Sequence, residues 1–210
     1  MSEDGHPVAV PSGVSWAVAQ RALPGETQSG DLSLVEAFPR GVLLAAVDGL
    51  GHGSEAADAA RVAVELLRSH AGDGPLALVR RCHLALERTR GVVMSLASLD
   101  TRDGTLAWMG VGNVRGVVVR ADPGGNAGSE LLLLRGGVVG YNLPALGESV
   151  LRVAPDDILV FATDGVAGDF ATEMVPLPEP QVLADRILAR WGKLTDDALV
   201  LVARFTREAA

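Results

Sequence analysis

"GVLLAAVDGLGHGSEAADAA", residues 41–60, is the stretch on which the reading of the fold turns. The apolar run 41–47 shows no polar alternation and ends in Asp48. Glycines follow at 49, 51 and 53, and Ser54-Glu55 reads as a helix start. Ala56, Ala59, Ala60, Ala63, Leu66 and Leu67 then keep helical spacing to about His70. The spacing therefore predicts a strand, a glycine-rich turn and a helix. The glycines run G-x-G-x-G rather than G-x-G-x-x-G, and no G-K-[ST] follows, so a nucleotide-cradling loop is poorly matched.

Outward from this stretch, 14–20 and 32–38 read as strands, with Pro39-Arg40 as a hairpin turn into 41–47. Pro75 suits a first helical residue, and Leu76, Val79, His83 and Leu86 form a second stripe that Gly91 closes. Strands are expected at 92–98, 104–110, 114–120, 131–135, 149–153, 157–163 and 198–205. Segment 121–130 reads as a mobile hairpin loop. A short helix around 166–172 and a helix over about 179–191 complete the reading. Short links between neighbouring strands favour antiparallel sheets. Two sheets with helices packed outside bury both faces of such apolar strands. Residues 1–13 are expected to be a loose lead-in and 14–207 a single domain.

The composition narrows the function. The formal charge is −8 with no Lys/Arg-rich run, which argues against nucleic acid as a partner. No apolar run reaches the ~20 residues of a membrane span. The single cysteine, Cys82, allows no disulfide within the chain, and the acidic N-terminus lacks a signal pattern. A cytoplasmic protein is expected, with no membrane partner.

Four aspartates stand at the mouths of apolar strands: Asp31, Asp48, Asp164 and Asp196. Asp48 or Asp164 alone reads as a turn residue, since Asp-Gly marks turns widely, and Asp31 alone reads as a capping residue. Neighbouring strands would bring the four together, where they repel and raise one another's pKa. None of the four segments shows a close Lys or Arg, so divalent cations are the expected counter-charge. Hard oxygen ligands without a Cys or His cluster point to Mg2+ or Mn2+. Gly49 and Gly165 leave room for backbone to approach an ion. A pair of such ions can activate a water and hold a phosphoryl group for in-line attack.

At this point the motifs resemble a known family. "SGD", "VDGLGHG", "FATDGV" and "TDDALVLV", in this order, are similar to the metal-dependent serine/threonine protein phosphatases, the PPM superfamily. The D-G-x-G-H-G shape and short length resemble its bacterial sporulation and stress-response branch, of SpoIIE and RsbX type. "MGVGNV" and 131–166 look most like the RsbX type. The resemblance spans about 15–205. It implies an α+β fold, a four-layer α-β-β-α sandwich of two antiparallel sheets flanked by helices. It implies two divalent cations, Mn2+ or Mg2+, held by Asp48, the Gly49 carbonyl, Asp164 and Asp196, which act catalytically through the metals and an activated water. Asp31 and Asp197 would stand behind these ligands, or Asp31 would be an additional one. The implied partners are phosphorylated STAS-domain proteins of stressosome or anti-anti-sigma type, dephosphorylated at serine or threonine.

The sequence also departs from the family. Many members carry His two residues after the first Asp; here Leu50 holds that place and His52 lies further on. His52 is either a proton donor or a turn-bonding imidazole. Arg21 is either a phosphate clamp or a solvated loop charge. Asn113, in "GVGNV", either makes a hairpin turn or lines the site. The segment between Asp164 and Asp196 is short, so the flap of larger relatives is expected to be missing. Two other readings compete with the enzyme. One is a catalytically inactive PPM-fold binding module for the same kind of partner, against which the full set of aspartates argues. The other is an ATP-binding regulator, which would need an Asn-bearing helix that the sequence does not place.

Overall fold

The computed structural model describes residues 13–121, 128–168, 170 and 178–206. The expected lead-in, except Gly13, and most of the expected 121–130 loop therefore lie outside the described residues, as do 169, 171 and 172 of the region read as a short helix. Strand β1 (Val14–Arg21) leads to a hairpin, β2 (Asp31–Phe38) and β3 (Gly41–Gly49). Helices α1 (Ser54–Ser69) and α2 (Pro75–Leu86) follow. Then come β4 (Val92–Asp100), β5 (Thr105–Val111), β6 (Arg115–Val119), β7 (Ser129–Leu131), β8 (Leu134–Arg135), β9 (Ser149–Arg152) and β10 (Ile158–Ala162). Helix α3 (Pro180–Trp191) and β11 (Ala198–Phe205) close the chain.

One sheet runs β1-β11-β10-β6-β7 and the other β2-β3-β4-β5-β8, with β9 also on β5. Pairing is antiparallel except for the short β5–β8 contact. The reason β3 lacks alternation is now visible. Leu43, Ala45 and Val47 face α1 and α2, while Val42, Leu44 and Ala46 face the opposite sheet. Both faces are dry, so both demand apolar side chains. Strand β11 divides likewise: Leu199 and Leu201 point between the sheets, and Val200 and Val202 meet α3. The result is the expected α-β-β-α layering. Small alanines on α1 let it lie close to the sheet; a Cβ on Gly49 would sit 2.1 Å from the Ala56 carbonyl oxygen. Only glycine fits that approach.

Two expected elements are corrected. The strand read at 131–135 is split: β7 pairs with β6 in one sheet and β8 with β5 in the other. Leu132 turns into the core between the sheets, and its N–H is taken by the Gly116 carbonyl at 2.8 Å. One straight strand cannot pair with both sheets. Helix α2 ends at Leu86, before Gly91. Thr89 stops it: its hydroxyl donates to the Leu86 carbonyl and accepts from the Gly91 N–H.

Candidate active site

The strand ends that carry the aspartates meet at one end of the sandwich. Asp31 opens β2 directly opposite Asp48 near the end of β3. Asp164 follows β10 and Asp196 precedes β11, which are hydrogen-bonded neighbours in the other sheet. Asp48, Asp164 and Asp196 line one cavity of about 400 Å3, with Leu50, Val93 and Val138 as an apolar wall. Asn113 and His52 also line it. Asn113 Nδ2 donates to Asp164 Oδ2 at 2.8 Å, so its amide orients that carboxylate.

The other predicted residues sit around the cavity rather than in its wall. Asp31 is 2% exposed and takes a 2.7 Å hydrogen bond from Thr163 Oγ1, which in turn accepts from the Leu199 N–H. This links the two sheets directly behind the site. Asp197 is also buried; its two oxygens accept from the Leu23 and Gly30 N–H groups at 2.7 and 2.8 Å. It clamps both ends of the segment between β1 and β2. Gly49 is buried, and its N–H donates to the Gly30 carbonyl. Arg21 is not brought to the cavity. Its Nη2 donates to the Lys193 carbonyl at 2.5 Å, because β1 ends beside the turn after α3. That placement corrects the phosphate-clamp expectation.

The expectation that no cation stands near the aspartates is corrected too. Lys193 Nζ donates to the Asp164 backbone carbonyl at 2.7 Å, and its charge favours the Asp196 carboxylate. One ammonium does not balance the cluster. Burial, reinforced by Asp31, Asp164, Asp196 and Asp197, pushes the Asp48 carboxyl up to about 9. Burial likewise pushes Asp31 to about 7, against the Thr163 hydrogen bond and with the neighbouring carboxylates. Asp196 is raised by partial burial and Asp164.

These residues fit divalent cations. The donors are hard oxygens, the carboxylates lack a balancing positive charge, and bound cations would offset what drives the pKa values up. Among the described residues no group of three or more acidic, His or Cys side chains is placed to hold an ion by itself. Water and backbone carbonyl oxygens would therefore complete the coordination. Asn113, Thr163 and Lys193 were missed or left open by sequence reasoning. Only the proximity of Asn113 to the "GVGN" turn and of Thr163 to Asp164 hinted at them.

Thr163 yields a test. Thr163→Val removes the donor that orients Asp31 and is expected to weaken Mn2+ binding by about tenfold, the usual lower range for a group supporting a ligand. Thr163→Ser should restore it. A calorimetric Mn2+ titration checks this; unchanged affinity in the valine variant would show that Asp31 needs no such support.

The profile of the family described as Stage II sporulation protein E (SpoIIE) matches residues 39–206. The chain is 27% identical over 102 residues to "Phosphoserine phosphatase RsbX" of Bacillus subtilis (strain 168), covering 49% of this chain and 51% of that protein. The match thus spans about half the length of that curated relative. A chain solved under the description "The bacterial stressosome: a modular system that has been adapted to control secondary messenger signaling" superposes with a TM-score of 0.82 at 31% identity, covering 91% of this chain and 99% of that one. RsbX in complex with magnesium superposes at 0.81 with 19% identity, over 92% and 96% of the two chains. The PP2C phosphatase domain of SpoIIE from Bacillus subtilis superposes at 0.80 with 21% identity, over 95% of this chain and 65% of that one. These last two likenesses concern the fold.

Proposed function

The chain belongs to the SpoIIE family and has the fold of its PP2C-type phosphatase domains, and on that premise we propose that it is a metal-dependent phosphatase acting on phosphoserine or phosphothreonine of a STAS-domain protein in a stressosome or anti-anti-sigma pathway. The observation that carries this reading is the convergence of Asp48, Asp164 and Asp196 on one cavity, backed by Asp31. Residues 14–207 act as one catalytic domain in the cytoplasm. No helix among the described residues is long and apolar enough to cross a membrane.

Two Mn2+ or Mg2+ ions would be held by Asp48, the Gly49 carbonyl, Asp164 and Asp196. When bound, they supply charge neutralisation for the phosphoryl oxygens and a more acidic water. The chain's own residues do the rest. Asn113 holds Asp164, and Thr163 holds Asp31. Leu50, Val93 and Val138 offer an apolar wall on which a partner's surface beside the phosphorylated residue can rest.

A phosphorylated STAS protein incubated with this chain is expected to release phosphate with Mn2+ and to stop in chelator. Equal release in chelator would overturn the metal site. Tight Mn2+ binding without turnover would support the inactive binding module.

A further inference from the structure

Beyond the carboxylate cluster, a second constellation reaches the cavity from the segment joining β1 to β2. Glu26 Oε1 lies 2.8 Å from His52 Nδ1. The histidine side chain is 61% exposed and the glutamate only 32%. His52 lines the same cavity as Asp48, Asp164 and Asp196. A carboxylate only accepts, so His52 Nδ1 carries a proton, and Nε2 is the nitrogen left for another partner. Glu26 is itself held. Its N–H donates to the Leu23 carbonyl at 2.9 Å, and the Leu23 N–H is fixed by Asp197. A Cβ on Gly53, which has φ of 76°, would lie 3.3 Å from Glu26 Oε2. Glycine there lets the carboxylate lie along the 51–53 turn.

We propose that Glu26 is a positioning residue that holds His52 at the cavity mouth as the proton donor to the leaving oxygen, with Asp197 fixing the segment that carries Glu26. This rests on the phosphatase reading. Water attacks phosphorus, the bond from phosphorus to the seryl or threonyl oxygen breaks, and that oxygen takes a proton from His52 Nε2. The neutral ring then regains a proton from solvent. Glu26 keeps Nδ1 engaged and so fixes which nitrogen faces the phosphoryl group. The arrangement also gives Asp197 a purpose: it joins the turn bearing Asp196 to the segment bearing Glu26, placing donor and ligands in one frame.

The test uses the Mn2+-loaded protein with two small substrates, phenyl phosphate and p-nitrophenyl phosphate. Nitrophenolate leaves without a proton, whereas phenolate gains from one. His52→Ala is expected to lower kcat on phenyl phosphate by about a hundredfold, as loss of a proton donor does, with p-nitrophenyl phosphate nearly unaffected. Added imidazole should restore much of the loss. Glu26→Ala should act in the same direction by about tenfold, with KM unchanged. Unaltered Mn2+ affinity by calorimetry shows that the site is intact in each variant. Equal losses on both substrates, no loss on either, or weakened Mn2+ binding would each overturn the proposal. Failure of the wild-type protein to release phosphate from either substrate would overturn the phosphatase reading, and the donor role with it.

Discussion

Asp48→Asn is expected to reduce Mn2+-dependent phosphate release by about a thousandfold or more while making the chelated protein more stable to heat. The first effect follows from losing the central carboxylate, since the metals supply several kcal/mol of transition-state stabilisation, and about 1.4 kcal/mol is tenfold in rate. The second follows from the burial of that carboxylate. Its acid form is favoured up to about 9, so near neutral pH folding must protonate a carboxyl that is ionised in the unfolded chain. An asparagine of the same shape needs no such protonation. Phosphate release and the thermal midpoint in chelator, measured on one preparation, check the pair of effects. A variant that lost activity and also unfolded earlier in chelator would mark Asp48 as structural rather than as a ligand.

Raising the pH from 5 to 8 is expected to lower the thermal midpoint of the chelated protein by several degrees and to tighten Mn2+ binding. The unfolded chain releases its carboxyl protons near the ordinary 3.8, while native Asp31 and Asp48 hold theirs to about 7 and about 9. Between those limits the native state binds more protons than the unfolded state, so stability falls as pH rises. The contribution is fully present below 3.8 and is gone above about 9. A cation competes with the same protons, so its affinity moves the other way, and binding releases protons into the buffer. Calorimetry in buffers of different ionisation enthalpy counts those protons. A midpoint in chelator that is flat or rises over this range would contradict the burial of an uncompensated cluster.

Much of the fold could be read from the chain. Strand β3 was legible because both of its faces are dry, which leaves a run with no polar residue before Asp48. Helix α1 was legible from its alanine spacing, although its N-cap is Gly53 and Ser54 is its first residue. The split of 131–135 was not legible. "LLLLR" has no internal mark for the place where Leu132 leaves one sheet for the gap between them, since Gly110 and Gly116, which make room there, lie on other strands. The end of α2 was misread because a threonine side chain terminated it before the glycine did.

Within the site the same division holds. The sequence by itself determined that four aspartates stand at strand mouths with glycine beside two of them, because apolar runs and turn residues are local signals. Only the tertiary structure decided which way each carboxylate faces. Asp48, Asp164 and Asp196 line the cavity, Asp31 turns to Thr163 132 residues away, and Asp197 turns back to Leu23 and Gly30. It also separated two imidazoles and two cations that look alike in the chain. His52 reaches the cavity edge on Glu26, whereas His83 accepts the Gly140 N–H elsewhere; Lys193 lies beside Asp164, whereas Arg21 is spent on a carbonyl. The physical reason is that orientation depends on the register of the two sheets and on hydrogen bonds between distant segments. Those are set when the layers pack, and no short window of sequence contains them.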